Sequence, residues 1–178
     1  MIILITGRPG IGKSTICSKL ITNLKDHNIV IGGLITPEVR RNNARIGFKL
    51  VDLLSGKEEY LAHISHPSSV KVGRYYVNLI ALEHIGVAAI MQASVDADVI
   101  IIDEIGPMEI KSKIFFETLL NTITNKKSFV IVVHWRLKSL LINLLPKNQF
   151  KLYEVTVKNR DKLPSIILND ILSSTSEV

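Results

Sequence analysis

The sequence predicts a three-layer α/β sandwich, a mostly parallel sheet between helices, with a β-hairpin insert. Three observations lead there. Apolar β-branched runs alternate with helix-period segments along most of the chain, the pattern of strands joined by helical crossovers. The runs Ile2–Thr6, Val99–Ile102 and Phe129–Val133 are almost continuously apolar, as strands covered on both faces must be. Between residues 37 and 76 the pattern gives way to shorter alternating segments broken by turn pairs. The 178 residues suit one domain spanning 1–178.

The elements follow in order. Ile2–Thr6 reads as a buried strand, and Gly12 to about Asp26 as the helix after it. Ile29–Thr36 is a second strand, in which Gly32–Gly33 marks a bend or a close approach. In the insert, Ile46–Leu54 and Tyr60–Ile64 alternate, with Asn42–Asn43 and Ser55–Gly56 as turns. Val77 to about Ala93 is helical, and Val99–Asp103 is a strand. A helix over about Lys111–Asn125, a strand at Phe129–Val133, a helix over Arg136–Leu145 and a strand at Phe150–Thr156 come next. A helix over about Asp161–Leu172 closes the fold, and Ser173–Val178 reads as a frayed tail.

Composition narrows the class. Hydrophobic residues make up 47% and charged residues 21%, enough apolar material for a core. The longest apolar runs are too short to cross a bilayer, and no secretory pattern opens the sequence. Cys17 is the only cysteine, which excludes an internal disulfide and an all-cysteine metal cage; a buried small hydrophobe is its expected role. A cytoplasmic monomer or weak oligomer with no membrane partner is expected. The net charge of +6 suits an anionic ligand. Nucleic acid is compatible with that charge, but no motif supports it.

Gly7-Arg8-Pro9-Gly10-Ile11-Gly12-Lys13-Ser14 fits G-x-x-x-x-G-K-[ST] without a mismatch, and Thr15 follows. Each position has a chemical reason. Glycines let backbone N–H groups approach phosphate oxygens, and the helix opening near Gly12 adds its positive end. Lys13 can reach the β- and γ-phosphates, and the Ser14 hydroxyl can ligate Mg²⁺. A strand before the loop and a helix after it make a P-loop NTPase core the expected context, with nucleoside triphosphates as ligands.

Val99-Ile100-Ile101-Ile102-Asp103-Glu104 is an apolar strand ending in two acids, a Walker B pattern. Its carboxyl end is where α/β sheets place ligands. Asp103 is the expected second Mg²⁺ ligand. Glu104 falls on the opposite side of the strand by alternation and is the candidate that orients or deprotonates an attacking water. Asp103-Glu104-Ile105-Gly106 also spells D-x-x-G, so the Gly106 N–H is a candidate γ-phosphate contact. A guanine-reading N-K-x-D is missing; the near match Asn125-Lys126-Lys127-Ser128 lacks the carboxylate.

Several blocks resemble the small nucleoside-triphosphatase family of the THEP type, also called the cancer-related NTPase family. They are Gly7–Thr15, Gly33–Arg40 with Arg45–Phe48, Ile102–Glu109, Lys158–Asp161 and, more loosely, Val72–Val77. The resemblance implies a RecA-like or kinase-like core that hydrolyses several NTPs to NDP and phosphate with Mg²⁺ and little base selectivity. Pro107 departs from the lysine expected in Ile-Gly-Lys-Met-Glu, as does His134-Trp135-Arg136 from the looser segment expected there.

Phosphoryl transfer also calls for positive charge near the γ-phosphate. Arg40, Arg41, Arg45 and Lys49 cluster in the insert and Arg74 follows; Arg40 and Arg74 are the first candidates for a finger in cis, against a solvated basic hairpin. Glu38 and Glu109 read as salt-bridge or supporting groups. Asn159 and Arg160 stand after the last strand, where Arg160 can stack on a base, and Asp161 is a candidate helix cap. Trp135 is expected to be packed, and His63, His66, His84 and His134 to serve surface or capping roles. Three functions fit: a phosphohydrolase, a nucleotide or polynucleotide kinase whose insert acts as a lid, and a non-catalytic switch. The pair Asp103 and Glu104 argues against the last.

Overall fold

Alternation within each apolar run decides which side of the sheet a residue serves. In β1 (Ile2–Gly7), Ile2 and Leu4 join one core cluster and Ile3 and Ile5 the other. The same division splits Ile100 and Ile102 from Val99 and Ile101 in the strand Val99–Ile105, and Phe129, Ile131 and Val133 from Val130 and Val132 in the strand Ser128–His134. A sheet with two apolar faces needs a helical layer on each. The computed structural model supplies both, and describes residues 1–124, 127–146 and 149–175. Asn125, Lys126 and the last tail residues, 176–178, lie outside the described residues, and with them the near match to N-K-x-D.

The elements run β1, α1 (Lys13–Asp26), β2 (Ile31–Ile35), β3 (Glu38–Arg41), β4 (Ala44–Asp52), β5 (Glu58–His63), β6 (Lys71–Val72) and β7 (Tyr75–Val77). Then come α2 (Leu79–Ala81), a π-helical turn (Leu82–Gly86), α3 (Val87–Asp96) and β8 (Val99–Ile105). They continue with α4 (Lys113–Ile123), β9 (Ser128–His134), α5 (Lys138–Leu144), β10 (Phe150–Glu154) and α6 (Leu163–Thr175). The sheet order is β10-β1-β9-β8-β2-β4-β5-β7-β6, with β3 paired to β4. From β10 to β2 every pairing is parallel, and from β2 onward every pairing is antiparallel. Helices α1 and α6 pack together beside one face, and α3 and α4 beside the other.

The insert is more than a hairpin excursion. It is a meander that lengthens the main sheet, joined where Leu34 and Ile35 of β2 pair with Asp52 and Val51 of β4. Gly33 makes that neighbourhood: at φ 102° it lies so close to β8 that a Cβ would stand 2.2 Å from the Ile101 carbonyl oxygen. The helix expected from Val77 starts later, because Val77 is the last residue of β7 and the Asn78 side chain caps α2 by accepting the Ala81 N–H at 3.1 Å. The stretch Leu79–Asp96 is long and apolar enough to cross a membrane by length and composition, a feature that the strand-length runs alone do not reveal. Here its Leu82, Ala89, Ile90 and Ala93 are buried in the core.

Candidate active site

The head of the site is built by β1 running straight into a glycine-bearing turn and then α1. Gly12, at φ 110°, caps α1 in a left-handed conformation that a side chain would strain. Lys13 folds back over the loop and is 8% exposed. Its Nζ donates to the Gly7 carbonyl at 3.2 Å and stands 3.7 Å from Glu104 Oε2. Ser14 Oγ donates to Asp103 Oδ1 at 3.4 Å. The end of β8 is thus bound to the start of α1 by two contacts, one from each acid.

Alternation placed Asp103 and Glu104 on opposite sides of the strand, yet both reach the phosphate loop. The parallel register of β8 with β9 shifts between Ile102 and Ile105, an irregularity of the kind that re-aims side chains. Thr36, at the end of β2, fixes this segment: its N–H and hydroxyl both donate to the Asp103 carbonyl, at 2.7 and 2.8 Å, and its hydroxyl accepts the Glu104 N–H at 3.3 Å. Sequence reasoning did not single out Thr36. Its position just before Pro37, inside a block already matched to the family, was the available signal.

Burial pushes the Asp103 carboxyl up to about 6, helped by the Glu104 charge and opposed by Ser14 and Lys13. Burial also raises Glu104, with Lys13 pulling the other way. Two carboxylates held in a half-dry site beside one ammonium form a centre that gains from an added cation. The Cys17 thiol, buried under the loop, is pushed well above its ordinary value by burial and by the same two acids, so it behaves as packing.

The Gly106 N–H has a protein partner. It donates to Glu109 Oε2 at 2.8 Å and so is already engaged. Glu109 is buried, and burial pushes its carboxyl up to about 7 against the backbone N–H groups of Glu109 and Gly106. The folded protein therefore keeps a proton there that the unfolded chain releases near 4.5. The resulting stability is fully present below that value and is lost as pH rises through about 7. Glu109→Gln keeps an acceptor oxygen without the charge. It should raise Tm near pH 8 by several degrees, on the order of 1–3 kcal/mol, and change it little near pH 5. Thermal unfolding in the two buffers checks this; equal shifts in both would remove the buried charge as the cause.

The arginines are distributed otherwise than expected. Arg40 is exposed, pairs with Glu38 at 2.7 Å and donates to the Asn43 carbonyl at 3.0 Å. Arg74 donates to Tyr75 Oη at 3.2 Å and to the Arg45 carbonyl. Neither lines the cavity over the phosphate loop; Arg45 does, together with Glu38 and Tyr75. That cavity holds about 740 Å³ and also takes in Lys13, Asp103 and Glu104.

On the other side of the loop, Arg160 borders a hollow of about 260 Å³ with Gly12, Thr15 and Lys19. Asn159 is occupied by its own turn, accepting the Thr156 N–H at 2.8 Å and donating to the Glu154 carbonyl at 2.9 Å. The Asn159 carbonyl, which accepts the Leu163 N–H at 3.0 Å, leads into α6, while Asp161 is exposed and 4.0 Å from Arg160 Nε. Trp135 is 48% exposed under Arg136, whose guanidinium lies 5.1 Å from its ring. His134 caps the short helical turn at Trp135–Leu137 by accepting the Arg136 N–H.

A family model described as NTPase matches residues 2–168. The nucleoside-triphosphatase THEP1 of Thermofilum pendens is 41% identical over 172 residues, covering 96% of this chain and 94% of the relative. The protein of the same name from Methanocaldococcus jannaschii is 41% identical over 175 residues, covering 97% and 98%. Among solved structures, the crystal structure of THEP1 from the hyperthermophile Aquifex aeolicus superposes with a TM-score of 0.81 at 30% identity, covering 96% of this chain and 99% of that one. The solution structure of a human cancer-related nucleoside triphosphatase gives 0.80 at 29%, covering 97% of each.

Proposed function

The chain belongs to this NTPase family, and from that premise we propose that it hydrolyses nucleoside triphosphates to the diphosphate and phosphate. Residues 1–178 act as one unit, with Mg²⁺ required and ATP, GTP, CTP and UTP all accepted. The observation that carries the reading is the convergence of Lys13, Ser14, Asp103 and Glu104 at the head of α1. Each residue then has one task. Backbone N–H groups from Gly7 to Thr15 hold the phosphates, and Lys13 offsets charge gathering on the transferring group. Glu104 takes a proton from the attacking water.

The donor set fits a hard divalent ion. Ser14 Oγ and Asp103 Oδ1 are two oxygens 3.4 Å apart, and such an ion takes one or two protein ligands while water and phosphate oxygens complete its shell. Ser14 and Asp103 would hold Mg²⁺, which supplies neutralising charge to the phosphate oxygens.

Base selectivity should be weak. A site discriminates when the wrong base leaves buried polar groups unpaired. Here Asn159 is already satisfied, and Arg160 offers a half-exposed guanidinium plane beside Gly12. The four NTPs should differ in kcat/KM by less than about 10²-fold. Arg160→Ala should weaken all four together and leave their ranking unchanged. Phosphate release from each nucleotide, with and without Mg²⁺, tests the reading. No release from any of them in Mg²⁺ would overturn it, and a preference well beyond that bound would reveal a base-reading pocket.

A further inference from the structure

The hydrolytic step gives Glu109 no task. Yet Glu109 is 4% exposed and lines the same cavity as Lys13, Asp103 and Glu104. A carboxyl taken out of water costs free energy unless polar partners receive it. The partners here belong to the backbone: the Gly106 N–H at 2.8 Å and the N–H of Glu109 itself. The side chain therefore closes a turn back onto the residue two places after Glu104.

That turn does for Glu104 what the ladder with β9 does not. The ladder is interrupted between Ile102 and Ile105, and Glu104 falls in the gap. Thr36 holds it from one side, its hydroxyl accepting the Glu104 N–H at 3.3 Å. Gly106 bounds it on the other: a Cβ there would stand 3.1 Å from Glu109 Oε2 and 3.4 Å from Glu104 Oε1. Both carboxyl groups thus lie on the open side of one α-carbon. The rest of the turn is pinned as well. The Ile110 N–H donates to the Gly106 carbonyl and the Ser112 N–H to the Glu109 carbonyl, each at 3.3 Å. Ser112 is buried; its hydroxyl accepts the Phe115 N–H at 3.2 Å, capping α4, and donates to Glu83 Oε1 of the π-helical turn at 3.0 Å.

We infer that Glu109 is a positioning residue for hydrolysis: by holding Gly106 it sets where Glu104 presents its carboxylate to the attacking water. The inference rests on the reading of Glu104 as the proton acceptor. Glu109 acts through the Gly106 backbone, and the chemistry stays with Lys13 and Glu104, whose Nζ and Oε2 stand 3.7 Å apart. Misplacing a reacting group by about 1 Å can cost roughly 10²-fold in rate, so a carboxyl that only holds a turn still has a rate effect when it is lost. Gly106 is not in the left-handed region. Its missing side chain serves space here, not conformational freedom.

The test compares three variants of the whole chain by phosphate release from ATP with Mg²⁺, and by calorimetric affinity for a non-hydrolysable ATP analogue. Glu109→Ala should lower kcat by about 10- to 10²-fold while affinity for the analogue stays unchanged. Glu109→Gln keeps an acceptor oxygen for the Gly106 N–H and should restore kcat to near that of the unmodified protein. Gly106→Ala keeps the N–H and both acids but crowds Glu109 aside. It should lower kcat in the same direction by a smaller factor, and it decides the matter if Glu109→Ala does not fold. A merely structural Glu109 would lower Tm and leave the kcat of the folded protein as it was. An unchanged kcat in whichever of the two variants folds would therefore overturn the inference. So would a loss as deep in Glu109→Gln as in Glu109→Ala, since the missing carboxyl and not the released turn would then be the cause. No phosphate from the unmodified protein would overturn the hydrolysis reading, and this one with it.

Discussion

Lys13→Ala is expected to lower kcat by about 10²–10³-fold, the cost of removing one well-placed charge from a transferring phosphoryl group. The geometry argues for an effect at the upper end. Lys13 is buried, its ammonium anchored on the Gly7 carbonyl and set between the loop and Glu104. No other lysine lines the cavity among the described residues, so none stands ready to replace it. Lys13→Met, which keeps the stem and loses the charge, should behave alike. Single-turnover hydrolysis at saturating nucleotide, with folding matched by circular dichroism, measures it. Turnover near that of the unmodified protein would remove the phosphate loop from the mechanism.

Glu104→Gln should separate chemistry from binding. It keeps the size of the side chain, loses the proton acceptor, and leaves the Ser14–Asp103 pair intact. Nucleotide should still bind while hydrolysis falls by a factor of roughly 10²–10⁴. Asp103→Ala should instead weaken binding wherever Mg²⁺ is present and change little in excess chelator. Titration calorimetry with a non-hydrolysable analogue distinguishes the two. An identical binding defect in both variants would mean that the acids share one role.

The parts legible in the sequence were those whose chemistry permits few alternatives. Gly12 must be left-handed at the head of a helix, Lys13 and Ser14 must follow it, and a strand of β-branched residues must precede. No comparable local rule governs the meander. Whether Arg40 or Arg45 faces the cavity depends on the pairing of β3 with β4 and on a register shift between Val39 and Arg40, and the place of Arg74 on the turn between β6 and β7. Such shifts are set by neighbours far along the chain. The same holds for Asp103 and Glu104, where simple alternation failed because the ladder with β9 is irregular. Gly106 and Asn159 show another limit of local rules. Sequence shows that a polar group exists, but a partner such as Glu109 or Thr156 can occupy it before any ligand does.

One consequence follows from the junction of β2 with β4. Besides the pairs at Leu34 and Ile35, the Leu53 N–H donates to the Gly33 carbonyl at 2.9 Å and the Lys49 N–H to the Pro37 carbonyl at 3.0 Å. The strand beside the Asp103–Glu104 segment and the meander wall of the cavity are therefore tied together through backbone. A clamshell would need a hinge of a few unpaired residues, and here the hinge line is sewn shut. Parting the two would mean breaking these backbone pairs, whereas the turns at Asn42–Asn43 and Gly73 lie beyond the sewn segment, so the outline of the rim is set apart from the seam behind it.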